Sequence, residues 1–241
     1  MRRSATLTFG FFMIVLYCLF APGGMVIAGV TVYDTVTLPA TPVYIKVLTK
    51  GRLFPAGGQR VRIQTDNRVL GQILTGGDGY GFLKTQFLSP GSVQVTAESE
   101  SDRASGTVLV VPPEHPLILV EIQGVSLTGA FFEGLSEDAR EVLETLSKSY
   151  GLIYLAGGFG INGTRQFIRT KRFPPLVVIP YRGRKMFTWL TKKGLNVYAA
   201  VGSPKFVDTA DGLIECRISV NGTTGKGSVK SWKELPSLLE E

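Results

Sequence analysis

The chain has 241 residues, of which 44% are apolar, and its formal net charge is +7. This length and composition allow a substantial core and two modest domains. The moderate basic charge suits acidic surfaces, and because no zinc-finger, RNA-binding or helix-turn-helix pattern accompanies it, nucleic acid is not an expected partner.

The first segment has the three-part order of a secretory leader. Arg2 and Arg3 precede an apolar run over 7–20, and Val26-Ile27-Ala28 offers small or branched residues for cleavage. We therefore predict a signal peptide, or an uncleaved membrane anchor, over 1–29. Either outcome places the bulk of the chain in the periplasm or at the outer face of the cytoplasmic membrane. Cleavage would leave Cys216 as the only thiol, which excludes an internal disulfide and a cysteine-based zinc site.

Residues 30–111 read as strands. Apolar and polar residues alternate between glycine-rich turns, which predicts an antiparallel immunoglobulin-like β-sandwich. The segments concerned are 43–48, 59–64, 81–87, 91–97 and 106–111. Two stretches, 75–82 and 90–97, resemble the turn and strand of bacterial immunoglobulin-like and invasin-type modules. Within the first, Asp78-Gly79 is either a turn that needs positive φ or part of a calcium loop.

A proline-rich linker, 112–116, marks the domain boundary, because three prolines in five residues fit neither a helix nor a central strand. It contains His115, the only histidine, so a Ser-His-Asp triad or a histidine metal site is not expected.

The pattern from residue 117 onward predicts an α/β domain, 117–241. Ser136 is placed to cap a helix that ends at Gly151. Short apolar strands are predicted at 152–155, 176–179, 197–201 and 217–220. Apolar strands separated by helices indicate a mainly parallel sheet with both faces covered.

The apolar run Leu117–Val120 is followed by Glu121-Ile122-Gln123-Gly124-Val125. This stretch resembles the first motif of the haloacid dehalogenase (HAD) superfamily, Asp-x-Asp-Gly-Thr, and within it the phosphatidate-phosphatase-like domain of lipins and phosphatidylinositol-transfer proteins. That resemblance implies a nucleophilic acid at Glu121 and a proton-donating acid at Gln123. Glu121 is one methylene longer than aspartate, and an amide cannot transfer a proton or give a metal an anionic oxygen. The alternative is an ordinary strand followed by a turn.

Three further stretches carry the same resemblance and lack the family's functional groups. Ala156 and Gly158 stand where the family has a hydroxyl and an arginine, and Val207 stands where it has a metal-binding aspartate, with Asp208 one residue out of register. Lys185 or Arg184 is nearest to the family's third-motif lysine. We therefore expect a pseudophosphatase with no catalytic residue, metal or cofactor. An active phosphatase that uses Glu121 as a slow nucleophile is the alternative.

A long basic stretch suggests what such a domain binds. No acid occurs between Thr145 and Val207, and aromatic residues lie among the cations. We predict that these cations bind a phosphorylated ligand or an anionic lipid headgroup. The predicted ligand-binding residues are Arg165, Arg169, Lys171, Arg172, Arg184 and Lys185. The alternatives are a solvated basic face and a structural or protein-interaction module.

Overall fold

The computed structural model of the protein describes residues 29–51, 54–100, 102–122, 137–157, 160–220, 227–229 and 231–239. Several predicted features lie outside the described residues, namely the leader up to residue 28, Gln123, the helix cap at Ser136, and Gly158.

The first domain is a sandwich of two β-sheets. Its strands are β1 (Gly29–Val32), β2 (Thr35–Thr37), β3 (Val43–Lys50), β4 (Arg60–Gln64), β5 (Val69–Leu74), β6 (Tyr80–Thr85), β7 (Gly91–Ser99) and β8 (Asp102–Val110). One sheet has the order β1-β3-β6 and the other β2-β8-β7-β4-β5. Neighbouring strands are antiparallel except for β2 and β8, which run parallel. This division of consecutive strands between two sheets matches immunoglobulin-like sandwiches and confirms the predicted architecture.

The alternation seen in the sequence builds the core of this sandwich. Ile45, Val61, Val95 and Val108 point between the sheets and are at most 1% exposed. Polar neighbours such as Arg62 of β4 face outward, as the period of two requires.

The segment at Asp78-Gly79 is a turn. Gly79 has a φ of 76°, which favours glycine, and its N–H donates to the Gly76 carbonyl oxygen at 2.9 Å. The Asp78 carboxylate accepts a hydrogen bond from the Tyr80 N–H at 3.1 Å. The turn interpretation of this sequence is therefore confirmed.

The second domain has a parallel sheet, as predicted. Its strands are β9 (Leu117–Glu121), β10 (Gly151–Ala156), β11 (Val177–Pro180), β12 (Val197–Gly202), β13 (Cys216–Val220) and β14 (Ser228–Val229). Their order is β11-β10-β9-β12-β13-β14, and every neighbouring pair is parallel. The first strand is thus central and the chain winds outward from it in both directions, which is the doubly wound arrangement.

Helices cover both faces of this sheet. They are α1 (Glu137–Leu146), α2 (Gly160–Thr170), α3 (Arg184–Lys192), α4 (Pro204–Thr209), a 3₁₀ helix (Trp232–Glu234) and α5 (Leu235–Leu239). Residues of α1, α2 and the two C-terminal helices pack on one face, and residues of α3 and α4 pack on the other. The strands are therefore buried on both sides, which explains their continuous apolar runs.

The two domains share an apolar interface in addition to the linker. Val36 of β2 and Val111 lie in the same buried cluster as Phe187 and Leu190 of α3. The linker itself forms a turn in which the His115 N–H donates to the Pro112 carbonyl oxygen at 3.1 Å.

A buried carboxylate also ties the domains together. Asp34 lies between β1 and β2, and its side chain is 3% exposed. It accepts hydrogen bonds from the N–H of Thr107 in β8 at 2.6 Å and of Val178 in β11 at 2.8 Å. Arg165 of α2 donates to the same carboxylate and to the Val32 carbonyl oxygen. Because β11 is an edge strand, one of its sides has no neighbouring strand in the sheet. Asp34 of the sandwich domain accepts the hydrogen bond of the Val178 N–H on this strand.

Candidate ligand-binding cleft and degenerate acid site

Glu121 lies where doubly wound sheets place their ligand sites. It ends the central strand β9, beside the carboxyl end of β12 at Gly202. The chain leaves these two neighbouring strands in opposite directions, and in such folds ligands bind in the crevice at that point.

The Glu121 carboxylate is tied back to the protein at this position. Its Oε2 accepts hydrogen bonds from the Ser203 N–H at 2.9 Å and from the Ser203 hydroxyl at 2.6 Å. Ser203 is also the N-cap of α4, where its Oγ accepts the Phe206 N–H at 3.3 Å. A Cβ on Gly202 would lie 2.7 Å from the Glu121 Cβ, so the close approach of β12 requires glycine. Glu121 thus fixes the start of α4.

Ala156 and Val207, the other described positions of the family resemblance, have aliphatic side chains without a catalytic or metal-binding group. Ala156 is buried, and its carbonyl oxygen accepts the Tyr181 N–H at 2.8 Å. Val207 packs in the apolar layer beneath α4, and Asp208 is exposed. Across the described ranges, no group of three or more His, Cys, Asp or Glu side chains is placed to hold a metal ion.

The structure does not bring the six predicted cations together. Arg165 pairs with Asp34 and is 19% exposed at its side chain. The chain leaves the carboxyl end of β10, runs through α2 and enters β11 at its amino end. Arg169, Lys171 and Arg172 therefore lie near the amino ends of the strands, whereas Glu121 lies at the carboxyl end of β9.

Arg184 and Lys185 begin α3, just after the carboxyl end of β11. The Arg184 guanidinium donates to the Asp211 carbonyl oxygen at 2.9 Å, whereas Lys185 lines a cleft between the domains.

This interdomain cleft has a volume of about 470 Å³. Its lining on the sandwich side consists of Tyr33, Asp34, Thr35, Tyr44, Lys46 and Phe82. The lining on the α/β side consists of Ile179, Pro180, Arg182, Lys185, Met186 and Trp189. Cations and aromatic rings therefore face the cleft from both domains.

Several of these groups are held in place. The Lys46 Nζ lies 4.6 Å from the ring centroid of Tyr33 and 4.0 Å from that of Tyr80. Burial, together with a hydrogen bond to Tyr80, raises the pKa of Tyr33 from its usual value of 10.0 to about 12. On the other wall, the Lys193 Nζ lies 4.4 Å from the Trp189 ring centroid and donates to the Val36 carbonyl oxygen at 3.1 Å.

The sandwich half of the cleft was missed by the sequence interpretation. Tyr44 and Lys46 occupy outward positions of β3, and Phe82 occupies an outward position of β6. The available signal was the presence of large aromatic side chains at positions where an antiparallel strand normally exposes polar ones.

No family model matches the chain, and no curated protein matches it. Among solved structures, the chain is similar to domains 4 and 5 of the S-layer protein SbsC (16% identity over 34% of this chain and 50% of that one, TM-score 0.28). It is also similar to the D00-D0 domain of intimin (13% identity, 34% and 45% coverage, TM-score 0.28). A carbohydrate acetylesterase from Xanthomonas citri matches with 10% identity over 85% of this chain and 63% of that one, at a TM-score of 0.30. The chain thus spans less than two thirds of the length of each of these structures.

Within the part of the chain that the structure describes, no helix combines the length and the apolar character needed to cross a bilayer.

Proposed function

We propose that this protein is an exported, HAD-like pseudophosphatase that binds a phosphate-bearing or anionic ligand, lipid headgroups included, without hydrolysing it. The observation that carries the binding function is the charge of the interdomain cleft. Lys46, Arg182 and Lys185 line it, and the negative charge of the lining residue Asp34 is matched by Arg165. A concave site lined by one sign of charge attracts ligands of the opposite sign.

The HAD-like assignment is supported by the place of Glu121. It stands at the carboxyl end of the first and central strand, where the resemblance puts the nucleophile. Its Oε2 accepts both hydrogen bonds from Ser203, which hold the carboxylate against the start of α4. Ala156 and Val207 offer neither a phosphoryl-binding hydroxyl nor a metal ligand.

Hydrolysis assays test the catalytic half of the proposal. Purified protein should release no more phosphate from p-nitrophenyl phosphate or phosphatidic acid with Mg²⁺ than the Glu121→Ala variant does. Turnover by the wild type that disappears in Glu121→Ala would establish the active-phosphatase alternative instead.

Vesicle sedimentation tests the binding half. The protein should sediment with vesicles that contain phosphatidic acid and not with neutral vesicles, and salt above about 0.15 M should weaken binding because the Debye length falls to roughly 8 Å. Reversing Arg182 and Lys185 to Glu should abolish sedimentation. If reversing Arg169 and Lys171 has the same effect, the attraction comes from diffuse charge and not from the cleft. Absence of binding to vesicles and to soluble phosphates alike would favour a structural module.

A further inference from the structure

The sandwich wall of the cleft alternates rings with cations. In the register between β3 and β6, Tyr44 lies opposite Lys84 and Lys46 lies opposite Phe82. Residues two apart on a strand share a face, and directly opposite residues on neighbouring strands are in contact distance. The outer face of this sheet therefore presents a mixed surface of aromatic rings and ammonium groups.

Exposed aromatic side chains are concentrated at this one place. Four aromatic side chains are exposed among the described residues: Tyr44 (58%), Phe54 (75%), Phe82 (55%) and Trp189 (40%). All except Phe54 line the cleft, and they come from both of its walls. A cluster of large, exposed apolar side chains on a concave surface is typical of a binding site.

The cations stand beside these rings. Lys46 is positioned over Tyr33 and Tyr80 on the sandwich wall, and Arg182 and Lys185 lie on the opposite wall. A ligand that contacts both walls therefore meets a positive charge and an aromatic surface at the same time. An anion alone would use the cations and leave the three exposed rings in water.

We infer that the cleft binds a small ring-bearing phosphate ester, in which an anionic phosphate is joined to a ring that packs against aromatic side chains. Arg182 and Lys185 contact the phosphate, and Trp189 with Tyr44 and Phe82 contacts the ring. The cavity of about 470 Å³ suits a compound of this size. The ring is either a flat base or the apolar face of a sugar, since both pack on aromatic groups. This ligand class rests on the proposed function and narrows it.

Titration of the purified protein with four probes tests the inference. The probes are inorganic phosphate, adenosine 5′-monophosphate, glucose 6-phosphate and vesicles containing phosphatidic acid, measured by calorimetry in low salt. We expect at least one ring-bearing phosphate to bind about tenfold or more tightly than inorganic phosphate, as one stacking contact provides. A preference for the nucleotide or for the sugar phosphate identifies the kind of ring.

Paired variants locate the site. Trp189→Leu should reduce the ratio of ring-phosphate to inorganic-phosphate affinity about tenfold, whereas Phe54→Leu, at an exposed ring outside the cleft, should leave it unchanged. Lys185→Gln should weaken binding of all soluble phosphates, and Lys192→Gln, on the same helix but outside the cleft lining, should not.

The outcomes separate this inference from the proposed function. Equal affinity for inorganic and ring-bearing phosphate, or a ratio that survives Trp189→Leu, overturns the ligand class and leaves anion binding intact. Binding to vesicles alone assigns the cleft to lipid and also overturns it. No binding of any probe overturns the proposed function itself.

Discussion

Replacement of Asp34 by alanine should strongly destabilise the domain interface. The carboxylate is 3% exposed and is the acceptor for Thr107, Val178 and Arg165. Removing one partner of a buried ion pair costs about 3–5 kcal/mol, and each buried N–H left without a partner costs about 1–3 kcal/mol. Arg165 keeps 19% exposure and can recover some hydration. We therefore expect a loss of about 3–4 kcal/mol, out of a total stability of roughly 5–15 kcal/mol.

Removal of the other partner should cost a similar amount. In Arg165→Met, the Asp34 carboxylate keeps both backbone N–H donors but stays buried without a counter-charge, so we expect a loss of about 3 kcal/mol. The double variant should lose less than the sum of the two single variants, because the two side chains interact directly.

Urea unfolding followed by two probes measures these effects. Both tryptophans, Trp189 and Trp232, belong to the α/β domain, so fluorescence reports that domain while far-UV circular dichroism reports the whole chain. Asp34→Ala should lower the midpoint of both signals. A loss below about 1 kcal/mol, or strictly additive single and double variants, would refute the interface role assigned to Asp34.

Four further expectations concern single positions. Tyr154→Phe should raise the free energy of unfolding in urea by about 1 kcal/mol, because the buried Tyr154 hydroxyl has no hydrogen-bond partner within the described residues; a loss of stability would contradict this. Arg172→Gly should raise the melting temperature, with a gain of about 0.5–1 kcal/mol, because Arg172 has a φ of 56° at the C-terminal turn of α2; the neighbouring Lys171→Gly should instead lower it. Burial raises the pKa of the Cys216 thiol, so at pH 8 it should react with a disulfide reagent more slowly than free cysteine and accelerate in urea; equal rates would contradict this placement. Mass spectrometry of the protein from cells that express the full sequence should find an N-terminus near Gly29, where β1 begins, and an intact Met1 on a membrane-bound species would make the leader an anchor.

The sequence predicted those elements whose pattern is local. Strands β3, β4 and β6 to β8 of the sandwich and β9 to β13 of the α/β domain coincide with the alternating or continuous apolar runs, with shifts of a few residues at their ends. The β5 strand was missed because Gly71 interrupts its alternation. The two-residue β14 is too short to form a pattern at all.

The functional groups were harder to predict because they depend on contacts distant in the chain. Asp34 and Arg165 are 131 residues apart in the sequence. No local pattern indicates that one buried carboxylate will accept hydrogen bonds from Arg165 of α2, Val178 of the edge strand β11 and Thr107 of β8. The predicted ligand-binding cations are close in the sequence, but the chain runs through α2 and β11 between them, which places Arg169 near the amino ends of the strands and Lys185 near their carboxyl ends. Cations that are close in the sequence are therefore far apart in the structure.

The interface that Asp34 holds also sets the shape of the cleft, which links stability to ligand binding. Asp34 lines the cleft and joins β1 and β2 to the edge strand β11, so the spacing of Lys46 from Lys185 depends on it. A ligand that contacts both walls binds the docked arrangement and has no comparable site when the domains are apart. At a concentration of 100 times its Kd, such a ligand stabilises the docked form by about 2.7 kcal/mol, which is comparable to the loss expected for Asp34→Ala. Ligand binding and the buried Asp34 carboxylate thus stabilise the same contact between the domains.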